Sequence, residues 1–295
     1  MCFKKPVKII LFFGIILSSH SLSAQDVPVL KLEAYKRIDE PARNEVSGIA
    51  KSRAYSNTFW VHGDSGTPDC IYAINRDGEI KSDDKDYLGA EVKGAKNVDW
   101  EDIAIGDNGT LILGDIGNNC ECRDDMKIFI LEEPNPKADE VEVLREYEIA
   151  YPDRADWYGR IMKSNYNAEA IFQLDGVIYI LTKQRKKSLL FKLENPQEDQ
   201  INELIFLESL DTEHYVTAAD ISEDGSLLAV LTYDQVMVFD FLDGELSKSK
   251  YRTAFLEGGE QIESIAFDGE DLIIAEENGQ LYQVEITDLV EVIKY

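Results

Sequence analysis

Short apolar runs recur along the chain, and turn dipeptides rather than helical stretches separate them. Five runs open alike: Val46-Ser-Gly-Ile-Ala50, Trp100-Glu-Asp-Ile-Ala104, Ala168-Glu-Ala-Ile-Phe172, Ala218-Ala-Asp-Ile-Ser222 and Ile262-Glu-Ser-Ile-Ala266. A turn signal follows each one. Asn108-Gly109, Asp175-Gly176, Asp224-Gly225 and Asp268-Gly269 are hairpin dipeptides. A second run then returns, as at Phe59 to His62, Leu111 to Gly114, Val177 to Leu181, Leu227 to Leu231 and Leu272 to Ala275. A third run follows at Ile71 to Ile74, Ile128 to Leu131, Leu189 to Leu193, Val236 to Phe239 and Leu281 to Val284. A fourth, weaker run is visible at Val141 to Ala150 and at Ile201 to Leu210.

Units of four antiparallel strands, recurring every 44 to 68 residues, predict the blades of an all-β propeller. No sustained helical periodicity competes. Five blades fit the five openings. Six remain an alternative if the N-terminal segment or the stretch from Pro152 to Asn167 adds strands. A β-sandwich would leave the similar openings unexplained. Val29 to Ile38 has β character and can supply the missing outer strand of the last blade, which would join the ends of the ring and remove an open edge.

The first 24 residues fall outside this pattern. Lys4, Lys5 and Lys8 precede an apolar run from Ile9 to Leu17, and a small, polar stretch runs to Ala24. This is the layout of a secretory signal peptide, leaving residues 25–295 as a single propeller domain. The run is too short for a membrane span, and no second long apolar stretch occurs. Export to the periplasm or medium is therefore expected, with the chain acting as a monomer. The formal charge of −27 disfavours nucleic acid as a partner. Outside the cytoplasm, Cys70, Cys120 and Cys122 are expected to give one disulfide and one spare thiol. Cys70 and Cys120 follow equivalent strand ends, so a Cys70–Cys120 or Cys70–Cys122 bridge is the expectation.

Several segments carry a resemblance. Ser47-Gly-Ile-Ala50, Phe59-Trp-Val-His-Gly-Asp-Ser-Gly66, Asp99-Trp-Glu-Asp-Ile-Ala104, Gly114-Asp-Ile-Gly-Asn118, Glu132-Glu-Pro134, Asn167-Ala-Glu-Ala170 and Leu181-Thr-Lys183 resemble a family of exported bacterial β-propellers of unsettled reaction. The family is loosely similar to phytase-like, gluconolactonase-like and SdiA-regulated propellers. The resemblance runs from Glu45 to Lys183. It implies the fold and export, and it implies no mechanism.

Propeller geometry brings the start of each first strand and the end of each second strand to one channel mouth. The first position aligns as Ser47, Glu101, Glu169, Ala219 and Glu263, with the fourth acid one residue later at Asp220. The second aligns as Asp64, Asp115, Lys183, Asp234 and Glu277. Carboxylates so crowded raise one another's pKa or recruit a cation. Oxygen ligands without His favour Ca²⁺, then Mg²⁺. The expected metal ligands are Glu101, Glu169 and Glu263, followed by Asp64 and Asp115. Turn capping by Asp64 and Asp115 is the bland alternative.

Lys183 breaks the acidic ring, and Arg185 follows it closely. Together with Arg123, Trp157, Tyr158 and Arg160 on two long loops, they are candidates to grip a ligand. No nucleophile elbow, dinucleotide fingerprint or Walker loop occurs. Two readings result. One is a binding propeller for a small anionic molecule or an extracellular peptide or glycan at a Ca²⁺-occupied mouth. The other is a metal-dependent hydrolase of a small phosphoester or lactone. There Glu101, Glu169 and Lys183 would be the catalytic candidates, and a metal-bound water with a Glu base the expected chemistry.

Overall fold

The computed structural model describes residues 27–155, 161–212, 214–241, 246 and 249–292. Among them the regular structure is strand, apart from one 3-10 turn at Ile286–Asp288. Strands β1 (Val29–Lys31) and β2 (Lys36–Arg37) precede the repeats. The first repeat supplies β3 (Val46–Lys51), β4 (Phe59–Gly63), β5 (Cys70–Ile74) and β6 (Ala90–Lys93). The second supplies β7 (Trp100–Ile105), β8 (Thr110–Asp115), β9 (Lys127–Glu132) and β10 (Glu140–Ala150). A short hairpin, β11 (Arg154–Ala155) and β12 (Ile161–Met162), comes next. The third repeat holds β13 (Ala168–Leu174), β14 (Val177–Thr182), β15 (Lys187–Leu193), β16 (Asn202–Glu203) and β17 (Ile205–Asp211). The fourth holds β18 (Val216–Ile221), β19 (Leu227–Thr232), β20 (Gln235–Asp240) and β21 (Tyr251–Glu257). Then come β22 (Ile262–Asp268), β23 (Asp271–Glu276), β24 (Gln280–Glu285) and β25 (Val290–Val292).

Each opening motif begins an antiparallel meander: β3-β4-β5-β6, β7-β8-β9-β10, β13-β14-β15-β17 and β18-β19-β20-β21. The meander β22-β23-β24 is completed by β2, antiparallel to β24 through Lys36 opposite Leu281. The N-terminal segment thus covers the last edge, as its β character suggests. Its first part goes elsewhere, since β1 runs parallel to β21 with Val29 opposite Phe255. Parallel pairing of β6 with β10 fuses the first two meanders into one larger sheet, which β16 also joins. The first strands pack in a cycle: β3 on β7, β7 on β13, β13 on β18, β18 on β22, and β22 back on β3.

The sequence pattern explains this packing. The inner strands are apolar on both faces because both faces are covered. Trp60, Ile71, Trp100 and Leu113 fill the space between the first and second meanders. Ile38, Val61, Tyr72, Ala266 and Leu281 fill the space where the last meets the first. Tight hairpins connect the inner strands. Asn108 and Gly109 both have positive φ (57° and 75°), the backbone that a type I′ turn needs.

The five inner hairpins share one irregularity. Their registers shift between Val46 and Gly48, Trp100 and Asp102, Ala168 and Ala170, Val216 and Ala218, and Ile262 and Ser264. Each shift skips one residue, a β-bulge that re-aims its side chain. The skipped residues are Ser47, Glu101, Glu169, Thr217 and Glu263. This corrects the alignment of the fourth repeat: Thr217, not Ala219 or Asp220, holds the equivalent place. Asp220 instead accepts the N–H groups of Ile221 at 2.9 Å and Phe267 at 2.8 Å, tying β18 to β22. Asp102 does the same for Ile103 and Ile171.

The cysteines also differ from expectation. Cys120 and Cys122 are bonded to each other, and Cys70 is free and buried. The Cys70 side chain packs with Tyr72, Tyr87 and Ile38 between the last and first meanders, turned away from the second meander that carries the other two.

Candidate functional site

The bulged strand starts and the ends of the second strands gather charged side chains at one end of the inner-strand ring. On one side stands Lys183, just after β14. Its Nζ lies 3.1 Å from Glu169 Oε2 and 3.8 Å from Glu263 Oε1. It also sits over the Tyr233 ring, 5.3 Å from the centroid, and Tyr233 donates its hydroxyl to Glu263 at 2.8 Å. Asn167 donates to the other oxygen of Glu169 at 2.8 Å. Burial works against charge on Lys183, but Glu169 and Glu263 outweigh it and hold its pKa above the ordinary value. Lys183 is therefore held as a cation by two carboxylates.

On the other side, Asp64, Asp99 and Glu101 bring carboxylate oxygens within 4.8 Å of one another. Together they could hold a metal ion. No described Lys or Arg makes an ion pair with any of the three. Burial pushes the Glu101 carboxyl well above the ordinary range, with Glu169 and Asp64 adding to the rise. Burial raises Asp99 next, helped by Asp64 and opposed by Arg123. Asp64 is raised by burial against the pull of hydrogen bonds from Ser65. Glu169 is pushed up to about 7, mainly by burial and despite Lys183. Glu277 also rises to about 7, through burial and then Glu263. Gly117 closes over the group: a Cβ there would collide with Glu101 Oε1 and the Asp99 carboxylate.

Of the five residues expected to bind metal, the structure brings Asp64 and Glu101 together. Glu169 and Glu263 are engaged by Lys183. Asp115 accepts the Asp99 N–H at 2.8 Å and Arg123 Nη1 at 3.1 Å, so it supports Asp99 from behind. Asp64 also caps its own turn by accepting the Ser65 N–H. Asp99 was missed by sequence reasoning. It lies two residues before a bulged residue, as do Glu45, Asn167 and Gln261. The carbonyls of Glu45, Asn167 and Gln261 accept the N–H of the residue just after the second strand, Asp64, Lys183 and Glu277, and that of Asp99 accepts the N–H of Gly117, one residue further along. That fixed offset is the signal that could have found it.

The expected ligand grips fare differently. Arg123 is tied to Asp115, to the Gly117 carbonyl at 2.7 Å and to Asp125 at 3.0 Å. Arg185 is exposed on the β14–β15 turn, with no contact to the acids. Trp157, Tyr158 and Arg160 lie outside the described residues. His214 pairs with Asp234 at 3.1 Å. His62 is fully buried, and that burial lowers its pKa to about 4, so it stays neutral.

The class defined here is an all-β protein whose inner strands surround an axis with an acidic mouth. No protein-family model and no curated protein matches the chain. The chain is similar to solved structures. The PQQ-bound aldose sugar dehydrogenase from Streptomyces coelicolor aligns over 86% of this chain and 97% of its own, at 9% identity and a TM-score of 0.50. A nidogen/laminin complex aligns over 85% of this chain and 80% of its own, at 13% identity and a TM-score of 0.47. At 9% identity the likeness to the dehydrogenase speaks for the β-propeller fold alone.

Proposed function

We propose that the chain is an exported, five-bladed β-propeller that binds an extracellular ligand through a divalent cation at its channel mouth. Asp64, Asp99 and Glu101 hold that cation. The observation that carries the reading is their gathering within 4.8 Å without an ion-pair partner among the described Lys and Arg residues. An all-oxygen set favours Ca²⁺ over Mg²⁺, because Ca²⁺ tolerates irregular geometry. The five similar meanders and their cyclic packing support the blade number. The basic, apolar and small-residue sequence of residues 1–24 supports export.

The ligand's acidic group, in this reading, meets the bound cation and not Lys183 or Arg123, which already have carboxylate partners. The test is metal analysis followed by melting with and without chelator. A cation that binds only the folded state adds about 2.7 kcal/mol at a hundredfold excess over its dissociation constant. Chelation should lower Tm, and Ca²⁺ should restore it more fully than Mg²⁺. Asp99→Asn and Glu101→Gln should each remove most of the response. Metal-free protein that melts identically with and without Ca²⁺ refutes the reading.

One observation favours a hydrolytic version of the same site. Glu169, with its pKa near 7, is suited to take a proton from a water at neutral pH. A screen of phosphate esters and lactones checks it. Turnover should vanish in Glu169→Gln while Ca²⁺ binding persists, and turnover unaffected by that change refutes the role.

A further inference from the structure

The outer edges of the meanders are protected unequally. β6 and β10 pair with each other, β16 adds to the far end of β10, and the middle of β10 carries Arg145, Glu146 and Glu148. β21 is covered by β25 and β1. The last meander ends in β2, which has two residues. β17 differs. It runs for seven residues and, among the described strands, pairs only with β15. Such an edge presents a row of unpaired N–H and C=O groups to any strand that arrives, and natural sheets blunt it with charge, proline or a cover. β17 instead opens with Ile205 and Phe206, which are 45% and 50% exposed.

An apolar cavity of about 530 Å³ lies beside this edge. In the pairing of β17 with β15, Phe206 stands opposite Phe191 and Ser209 opposite Leu189. Leu207 is skipped there, so Phe206 and Ser209 face the same way. All four line the cavity, together with Tyr166 and Pro152 from the connection before β13. The Phe206 ring is held in place by Phe191, which is buried and meets it edge-on at 5.7 Å. Phe206 thus presents a fixed, solvent-accessible apolar surface where the edge and the cavity meet.

We propose that β17 accepts an extended, basic segment of a partner protein as a further strand, with an apolar side chain of that segment seated in the cavity beside Phe206. Strand addition draws affinity from main-chain hydrogen bonds and specificity from pockets for alternate side chains. β17 offers the first and the cavity the second. Charge selects the occupant. Glu203 and Asp211 stand exposed at the two ends of the edge, Glu208 lies between them, and the whole chain carries −27. Lys187, opposite Asp211 on β15, offsets one of these acids. A second copy of the chain is a poorer fit. Antiparallel self-pairing over the full strand would set Glu208 against Glu208, and like charges directly opposite destabilise a sheet.

The probes are short capped peptides that alternate Lys with Val or Phe. They are titrated in the presence of chelator, because the proposal does not rest on the cation at the mouth. Fluorescence anisotropy gives the affinity, and amide hydrogen exchange over residues 205–211 gives the location. Binding should slow the exchange of alternate amides there. Phe206→Ala, at a half-exposed position that the fold tolerates, should weaken binding about tenfold or more, the worth of a buried large apolar side chain. N-methylation of alternate peptide amides keeps the charge; it should abolish binding on one edge of the peptide and spare it on the other. Failure of every peptide to bind, or binding indifferent to methylation and to Phe206→Ala, overturns the proposal, the latter by reducing it to charge attraction. So does protection of all the 205–211 amides in the free protein, which would mean that the chain covers its own edge. A dimer of the free protein that Phe206→Lys dissolves would give the edge to a second copy and overturn the partner segment.

Discussion

Glu169→Gln tests the electrostatics of the mouth most directly. Glu169 is only 2% exposed and is pushed up to about 7 from an ordinary value of 4.5. Its folded-state pKa exceeds its unfolded one, so the folded protein binds more protons and loses stability as pH rises. The contribution is complete below the unfolded pKa and gone above the folded one. The span of about 2.5 pH units corresponds to about 3 kcal/mol. Most of it falls between about pH 5 and about pH 8.5, by proton linkage. Glutamine keeps the shape and stays neutral. Denaturant unfolding of metal-free protein should therefore show wild type losing about 2–3 kcal/mol relative to Glu169→Gln across that range. Glu101 adds in the same direction, since Glu169 helps to raise it. Added Ca²⁺ should shrink the difference. A gap between wild type and variant that stays constant with pH would refute the reasoning, because it would mean that Lys183 already neutralises Glu169.

Gly117→Ala would press a methyl group onto Glu101 and Asp99. It should cost about 1–3 kcal/mol, the usual range for overpacking, and abolish the Ca²⁺-dependent rise in Tm; an unchanged calcium titration counts against the triad. A chain beginning at Glu45 loses β1, β2 and the buried Leu32 and Ile38. Burying two such side chains is worth about 3–6 kcal/mol, so Tm should drop sharply, and an unaltered melt would mean that β2 does not close the ring.

The fold was legible because its repeat is written in the apolar runs. Hairpin dipeptides such as Asn108-Gly109 set the register, and the opening motifs mark the inner strands. The candidate site was legible in part. Glu101 and Glu169 stand out as acids in otherwise apolar openings. The bulge that turns them toward the axis leaves no composition signal, so the fourth repeat was aligned two residues late, on Ala219 instead of Thr217. Asp99 was hidden for a related reason. Its partner Asp64 comes from the strand end of another repeat, and only packing brings it to Asp99 and Glu101. The disulfide was misjudged because equivalent loop positions do not share a facing. Cys70 begins β5 with its side chain in the core, whereas Cys120 and Cys122 lie exposed beyond β8.

The sign of the mouth's charge follows from which side chains are already paired. Asp64, Asp99, Glu101, Asp115, Glu169, Glu263 and Glu277 face two close cations, Lys183 and Arg123. In the sequence those cations looked like grips for an anion, because they interrupt an acidic chain. In the structure each is enclosed by carboxylates, and a free anion approaching either would meet the same acids. Lys183 satisfies one half of the ring, and Asp64, Asp99 and Glu101 form the unsatisfied half. Burial, with mutual repulsion added, raises the pKa values of these three, so without a cation the folded protein favours their protonated forms. A divalent ion and a proton therefore compete for the same carboxylates, and calcium affinity should strengthen as pH rises from about 5 to 8. In the function proposed above, an anionic ligand should therefore bind only when the metal is present.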